Sequence, residues 1–118
     1  MSEHLDFLAM ATVMIRVRLQ PAAVVALMVL RRAPEGVEVY ELKQLGGLSQ
    51  TVAYRTLRYL SSKDLVTEEV RKDVYRRRVQ LWRLSEKGKR LVDNMEVFYR
   101  KVADEWQRRW RVQRGGRL

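Results

Sequence analysis

The sequence contains no cysteine and a single histidine, His4, in 118 residues. The absence of cysteine excludes disulfide bonds, thiolate zinc sites and a cysteine nucleophile. One histidine cannot build a site of several imidazoles, and we predict no metal ion and no cofactor. Three acids, Glu35, Glu38 and Glu41, lie close together in the sequence, but no nucleophile motif or phosphate-binding loop accompanies them. The sequence therefore does not predict an enzyme.

Long hydrophobic runs are also missing. The longest uninterrupted apolar run, from Ala22 to Leu30, has nine residues, whereas a membrane-spanning helix needs roughly 18. A signal peptide consists of a basic stretch, an apolar core and a small-residue cleavage site, and we find no such pattern in the sequence. We expect a soluble cytoplasmic protein that makes no membrane contact.

Acidic residues are few relative to basic ones: 24 Lys and Arg stand against 14 Asp and Glu, a formal charge of +10. Half of this excess lies between Val70 and Arg83, with six cations and one acid. The other half lies between Trp106 and Leu118, with five arginines and no acid. Such concentrated charge predicts a polyanionic partner. The arginine bias and a single asparagine are also typical of a thermophilic source, in which surface arginine serves stability.

The first part of the chain is predicted to be mainly helical. The segment from Glu3 to Arg18 is apolar on nearly all sides, which favours packing on several neighbours, including another subunit. Pro21 suits the first position of a second helix, and Gly46-Gly47 suits the turn that ends a third. The predicted elements are helix 3–18, helix 21–32, strand 37–40 and helix 40–45.

The next segment predicts a helix with two different faces and then a hairpin. Ser49 suits the N-cap of a helix that runs to Ser62. At 100° per residue, one face carries Ala53, Thr56, Leu57 and Leu60, and the opposite face carries Thr51, Arg55, Arg58 and Ser62 with Tyr54 beside them. Strands at 65–70 and 79–84 then enclose a charged tip at 71–78.

The last predicted helix runs from a cap at Ser85 to about Gln113 and ends at Gly115-Gly116. It is about 28 residues long, or roughly 42 Å at 1.5 Å per residue. This length exceeds the core of one small domain, so much of its apolar stripe needs a second chain. The residues predicted for this dimer interface are Leu5, Leu8, Leu91, Met95, Phe98, Val102, Trp106 and Trp110.

Two short helices joined by a glycine turn and followed by a ribbon with a basic tip make up a winged helix-turn-helix. Short motifs occur in the expected order: Leu19-Gln20-Pro21, Tyr40-Glu41-Leu42, the run from Tyr54 to Leu60, Asp64-Leu65-Val66, and the run from Leu81 to Gly88. In these motifs, over about residues 19–92, the chain resembles the MarR/PadR group of winged-helix transcriptional regulators. The group commonly has glycine where this chain has Asp64, and Asp tolerates the left-handed conformation that the turn needs. The helix before the turn usually opens with Ser or Thr, but here it opens at Val39-Tyr40.

The resemblance implies a homodimeric, sequence-specific DNA-binding regulator, which we expect to be a repressor. The fold class is mainly α with a small β-hairpin (α+β). A single domain, 1–118, would contain a winged helix-turn-helix core at 19–84, dimerisation helices at 1–18 and 85–114, and a tail at 115–118. The recognition helix, 49–62, would enter the major groove, and the wing, 66–84, would contact the backbone or minor groove. The residues expected at the DNA are Ser49, Gln50, Thr51, Tyr54, Arg55 and Arg58 on the helix, and Arg71, Lys72, Tyr75, Arg76, Arg77 and Arg78 on the wing.

Several features have a second interpretation. The basic clusters also fit a nonspecific architectural DNA-binding protein of the nucleoid, or a winged-helix module that binds a protein or RNA. The C-terminal arginines fit a solvated tail, added phosphate contacts or a bridge between subunits. Trp82, Trp106 and Trp110 fit packing in the core or dimer interface better than the wall of an effector pocket. The operator, the target genes and a small-molecule effector are not defined by the sequence.

Overall fold

A computed structural model describes the backbone of residues 3–115 and the side chains of residues 6–114. Over these residues the chain forms five α-helices and one antiparallel β-hairpin, which confirms the predicted fold class. The elements are α1 (Glu3–Val17), α2 (Pro21–Arg32), α3 (Val39–Gly46), α4 (Gln50–Ser62), β1 (Val66–Lys72), β2 (Arg78–Leu84) and α5 (Glu86–Gly115). No single helix in the described part of the chain is long and apolar enough to span a membrane; α1 and α2 meet that test only when taken together across the break between them.

The chain divides into two compact units. The winged unit is continuous, Gln20–Val92, and holds α2, α3, α4, the hairpin and the start of α5. The terminal unit combines the described residues of Met1–Leu19 and Asp93–Leu118, and therefore holds α1 and most of α5. Residues 86–92 of α5 thus belong to the winged unit, whereas the sequence prediction ended the winged helix-turn-helix core at 84.

Three helices form the core of the winged unit. Helix α2 begins at Pro21, whose missing N–H is not needed in a first turn. Its buried side chains are Ala23, Val24, Ala26, Leu27 and Leu30. Helix α4 buries Ala53, Thr56, Leu57 and Leu60, the face that the helical period predicts. Because α4 packs on α2, α3 and β1 with this face, its opposite face is left exposed.

Short-range chemistry sets the turns around α3 and α4. The N–H of Glu38 donates to Glu41 Oε1 at 3.2 Å in a capping box, so Glu38 takes the place of the usual Ser or Thr. Gly47 ends α3 at φ 65°, a left-handed conformation that suits glycine. The predicted cap of α4 is confirmed, because Ser49 Oγ accepts from the N–H of Val52 at 3.2 Å.

The hairpin extends further than predicted. Its register pairs Val66 with Leu84 at the base and Lys72 with Arg78 at the far end, so the tip is 73–77 and the predicted tip of 71–78 is wrong. The N–H of Asp73 donates to the Arg77 carbonyl at 2.9 Å, which closes the tip and lets the pairing continue. The predicted strand at 37–40 is also wrong. Only Val37 pairs with β2, through Trp82, since α3 already begins at Val39.

The two ends of the wing are joined at its base. Asp64 adopts φ 60°, as expected of the residue that replaces glycine in this turn. Ser85 Oγ donates to the Asp64 carbonyl at 2.6 Å and accepts from the N–H of Gly88 at 3.0 Å, which confirms Ser85 as the cap of α5. The N–H of Ser85 donates to the Leu65 carbonyl at 3.0 Å. These bonds fix the start of α5 against the start of β1.

In the terminal unit, α1 and α5 share buried side chains and two polar contacts. The buried residues are Ala9, Val13, Met95, Val102 and Ala103. The Tyr99 hydroxyl donates to the Asp6 carboxylate at 2.8 Å, and this bond raises the pKa of Tyr99. The indole N–H of Trp106 donates to Thr12 Oγ1 at 3.3 Å. The two helices are therefore held together by both apolar and polar contacts.

Candidate nucleic-acid interface

The outward face of α4 collects the side chains that the sequence places on the recognition helix. All six predicted residues are exposed: Ser49, Gln50, Thr51, Tyr54, Arg55 and Arg58. All except Ser49 line one shallow, open depression of about 670 Å³. Since the opposite face of α4 is buried, this surface is held outward by the packing of the core.

Tyr54 joins this surface to the hairpin. Its ring meets the indole of Trp82 edge-on, with 6.5 Å between centroids and 89° between planes. Trp82 itself is only 1% exposed, so it is part of the core and cannot line an open pocket. The guanidinium of Arg58 lies 5.8 Å from the centroid of the Tyr54 ring, within cation–π distance. Neither Arg55 nor Arg58 has a carboxylate partner among the described residues.

The two faces of the hairpin differ in how their cations are paired. Paired residues share a face, and faces alternate along each strand, so Lys72 and Arg78 lie on the same face as Trp82 and Val66, which face the core. That face is continuous with α4 through the contact between Tyr54 and Trp82. Lys72 and Arg78 stand directly opposite each other and are both exposed, and like charges in this position repel. This pair therefore presents two cations that have no carboxylate partner among the described residues, since Glu68 on the same face accepts instead from Gln80.

On the opposite face of the hairpin, Glu69 pairs with two arginines. The Glu69 carboxylate accepts from Arg71 Nε at 2.9 Å and from Arg71 Nη2 at 3.0 Å. It also accepts from Arg83 across the strands. These guanidinium groups, Arg71 first, lower the pKa of Glu69, and the same bond raises the pKa of Arg71. Arg71 is thus paired within the chain.

The tip of the wing is organised by Asp73. Its Oδ1 accepts from the N–H groups of Tyr75 and Arg77, each at 2.8 Å, and its Oδ2 accepts from Arg77 Nε at 3.1 Å. These bonds, with the Arg77 N–H first, lower the pKa of Asp73. Arg76 completes the turn at φ 61° with its side chain exposed. Tyr75 is 75% exposed, and the guanidinium of Arg77 lies 5.2 Å from its ring centroid.

The structure therefore divides the predicted wing residues into two groups. Arg71 and Arg77 are ion-paired with Glu69 and Asp73, whereas Lys72, Arg76 and Arg78 have no carboxylate partner in the described part of the chain. Neither acid has a role that was predicted from the sequence. A signal was available for Asp73, since Asp commonly accepts from backbone N–H groups two or more residues ahead in turns. Glu69 could not be assigned without knowing the strand register.

The predicted dimer residues have different environments. Met95 and Val102 are each only 2% exposed, so they are already covered within one chain. Leu91, Phe98 and Trp106 are partly exposed, and Leu8 and Trp110 are 42% and 52% exposed. The side chain of Leu5 lies outside the described residues. Further apolar side chains are exposed on α1 and α5, above all Phe7 at 76% and Ile15 at 75%.

The neighbouring acids of the sequence serve the fold. Glu38 and Glu41 form the capping box of α3, and Glu35 is exposed before it. Between residues 6 and 114, no three His, Asp or Glu side chains are grouped closely enough to hold a metal ion. We assign no metal or cofactor to any of these residues.

Comparison with known proteins bears on the fold. No family model and no curated protein matches the chain, but its fold is that of the MarR family of winged-helix transcriptional regulators. A MarR family regulator from Silicibacter pomeroyi superposes with a TM-score of 0.67 at 22% identity, over 87% of this chain and 66% of the other. CouR from Rhodococcus jostii, solved with p-coumaroyl-CoA bound, gives 0.69 at 19% identity over 87% and 71%. MepR from Staphylococcus aureus, a regulator of the multidrug efflux pump MepA, gives 0.69 at 17% identity over 93% and 76%.

This chain is thus similar in architecture to solved regulators, and it spans about two thirds of the length of the Silicibacter protein. The predicted winged helix-turn-helix fold is confirmed. Identities of this size establish the fold alone.

Proposed function

We propose that the protein is a homodimeric transcriptional regulator that binds duplex DNA through α4 and the wing. The observation that carries the proposal is that unpaired cations lie on one continuous surface. Arg55 and Arg58 are on the outward face of α4, and Lys72 and Arg78 are on the face of the hairpin that packs toward α4. On the other face of the wing, Glu69 pairs with Arg71 and Arg83. Among the described residues, the two strand cations without a carboxylate partner, Lys72 and Arg78, therefore both lie on the α4 side of the wing.

Helix α4 has the features of a helix that reads the major groove. Its outward face offers an amide at Gln50, a hydroxyl at Thr51 and guanidinium groups at Arg55 and Arg58. Arginine donates two hydrogen bonds to the O6 and N7 of guanine, and glutamine pairs in a similar way with adenine. Because the core holds α4 by its buried face, these groups can approach base edges without rearrangement of the fold.

The wing would contact phosphates beside the site read by α4. Lys72 and Arg78 repel each other in the free protein, and a phosphate between or near them relieves that repulsion. Arg76 and Tyr75 project from the tip and can reach the backbone or the minor groove. We assign a smaller contribution to Arg71 and Arg77, since a phosphate must compete with Glu69 or Asp73 for each of them.

The terminal unit would form the dimer. Phe7, Leu8, Ile15 and Val97 are exposed apolar side chains on α1 and α5, and large apolar groups gathered on helices commonly mark protein interfaces. A two-fold dimer predicts a pseudo-palindromic site whose half-sites are about 34 Å apart. A dimer that covers a promoter excludes polymerase, so we propose repression as the outcome.

The proposal is tested by comparing Arg55→Ala with a matched control. Arg90→Ala removes an exposed arginine from the start of α5 that is not among the residues lining the α4 depression. Arg55→Ala should cost about 1 to 3 kcal/mol on a selected duplex and relax sequence preference, because a base contact is lost. Arg90→Ala should change neither. Competition titrations at fixed salt, with the selected duplex against unrelated duplexes, provide the measurement.

The same titrations separate the rival functions. Equal affinity of the wild type for unrelated duplexes would indicate an architectural DNA-binding protein. Absence of duplex binding near physiological salt would indicate a module that binds a protein or RNA. Either outcome would overturn the proposal. An equal loss on all duplexes for Arg55→Ala would contradict the base-reading role of Arg55.

A further inference from the structure

The C-terminal part of α5 carries a charge cluster that neither α4 nor the wing explains. Between Glu86 and Glu105 the helix has five acids and five bases, and from Trp106 onward the sequence has five arginines and no acid. The charge therefore changes abruptly at Trp106. Four of the arginines have described side chains, all exposed, and we call them the arginine end: Arg108, Arg109, Arg111 and Arg114.

Tryptophan rings hold two of these arginines. The guanidinium of Arg109 lies 5.8 Å from the Trp106 ring centroid, and that of Arg114 lies 5.0 Å from the Trp110 ring centroid. Both distances are within the range of cation–π attraction. Trp106 is itself fixed by its hydrogen bond to Thr12. Two guanidinium groups are thus partly ordered before any partner binds, which lowers the entropic cost of binding an anion.

Stabilisation of the helix accounts for little of this cluster. Cations favour the negative end of a helix dipole only within its last turn, and the last turn contains Arg114. Arg109 is 4.0 Å from Glu105, an exposed pair of the kind that contributes little. The other three arginines have no carboxylate partner among the described side chains. In the free protein these charges repel one another.

The partner of such a surface must be an anion. A second copy of the same segment would bring +5 against +5, so the arginine end does not pair with itself. A helix that lies on an anionic membrane needs a separate apolar face. Here Arg109 lines the same open groove as Trp106 and Trp110, which places a cation among the apolar side chains. The phosphate backbone of a nucleic acid can be bound by cations alone, without a separate apolar face.

We propose that the arginine end is a second DNA-binding surface, which contacts phosphates of the duplex outside the segment gripped by α4 and the wing. This inference rests on the proposed function, since the winged unit is what brings a duplex to the protein. Once one part of a chain is bound, phosphates reach the other part at high effective concentration, and weak contacts then add to affinity. The contacts are independent of sequence and extend the footprint.

The test is the salt dependence of binding for two triple variants of the full chain. R108Q/R111Q/R114Q removes three charges from the arginine end. R90Q/R100Q/K101Q removes three exposed charges from the neutral part of the same helix and serves as the control. Each lost phosphate contact reduces the magnitude of the slope of log K against log salt by about 0.9. For the first variant this magnitude should fall by about 2.7. Between 50 and 200 mM salt, the DNA affinity of the wild type should therefore decrease about 40-fold more than that of the variant.

The same titrations are repeated on duplexes of two lengths. The difference between wild type and R108Q/R111Q/R114Q should appear on a selected site with long flanks and vanish on a duplex trimmed to the site, while the control variant matches the wild type on both. Unchanged sequence preference of the variant on the trimmed duplex shows that it is folded.

The outcomes distinguish this inference from the proposed function. If the wild type binds no duplex, the proposed function fails and this inference fails with it. If the wild type binds its site but both triple variants keep the wild-type slope on long duplexes, only this inference is overturned. Loss of binding to phosphatidylglycerol vesicles by R108Q/R111Q/R114Q, with an unchanged DNA slope, would assign the surface to a membrane and would also overturn it.

Discussion

Asp73 orders the tip of the wing, although its charge alone opposes binding to phosphates. As the single acid in the basic segment from Val70 to Arg83, it should oppose DNA binding by simple charge. In the structure it accepts three hydrogen bonds from Tyr75 and Arg77 and closes the tip of the wing. An acid beside a phosphate-binding surface therefore orders the groups that bind, at the cost of some repulsion.

Two substitutions of Asp73 separate its ordering of the tip from its repulsion of DNA, because only one of them should lower the DNA affinity. Asp73→Asn removes the charge but keeps an oxygen for the N–H groups of Tyr75 and Arg77, so its DNA affinity should equal or exceed that of the wild type. Asp73→Ala removes charge and acceptor together, and we expect a loss of about 1 kcal/mol, roughly fivefold in affinity, from the disordered tip. The measurement is a titration with labelled duplex at low salt. Tighter binding by Asp73→Ala would show that the carboxylate only repels DNA.

The pKa of Asp73 provides a second test at the same residue. It should lie below the ordinary value of 3.8. A lowered carboxyl pKa stabilises the folded tip above the unfolded-state pKa, and this contribution is lost as pH falls through the folded value. Since the backbone N–H of Arg77 is the main cause, Arg77→Ala should leave most of the shift. Carboxyl carbon chemical shifts during acid titration would show this, and a return to 3.8 in Arg77→Ala would assign the shift to the side chain.

At the scale of elements, local patterns in the sequence determined most of what could be predicted. The helical period separated the buried and exposed faces of α4 correctly, and Ser49 and Ser85 cap the helices as expected. The limits of the hairpin tip depended instead on Asp73, whose bond to Arg77 extends the ladder. The pairing of Glu69 with Arg71 and Arg83 depended on strand register. Both depend on hydrogen bonds within the hairpin, which hydrophobic periodicity does not predict.

Gly88 shows how closely α5 and the wing are packed. A Cβ on Gly88 would lie 2.1 Å from the Leu65 carbonyl oxygen, a backbone atom that cannot move aside cheaply. Alanine is favoured over glycine in a helix by about 1 kcal/mol, but here the clash should reverse the sign. Gly88→Ala should reduce the free energy of unfolding by about 1 to 3 kcal/mol.

The control for Gly88 is Arg90→Ala, at an exposed position in the same helix, which should lie within about 0.5 kcal/mol of the wild type. Urea unfolding midpoints of the three proteins give the comparison. A gain of stability in Gly88→Ala would mean that the start of α5 does not approach Leu65 as described.

A dimer is required for the proposed recognition of a two-fold DNA site. Ile15 is 75% exposed on α1, and Val74 is 91% exposed at the wing tip, so each presents an apolar side chain to solvent in one chain. Ile15→Glu should convert a dimer into a monomer, because a charge would be buried at the interface without a partner. Val74→Glu should leave the dimer intact. Sedimentation velocity at micromolar concentration measures both, and a wild-type protein with the mass of one chain would contradict the dimer.

Selection of bound sequences from random duplex DNA is the decisive measurement, because enrichment of a two-fold site requires both the α4 surface and the dimer. We expect enrichment of a pseudo-palindrome whose half-sites are about 34 Å apart, one turn of the duplex, and loss of preference at defined positions when Arg55→Ala is used in the same selection. A pool that remains random, or an enriched sequence whose preference is unchanged by Arg55→Ala, would contradict the assignment of α4 as the element that reads DNA.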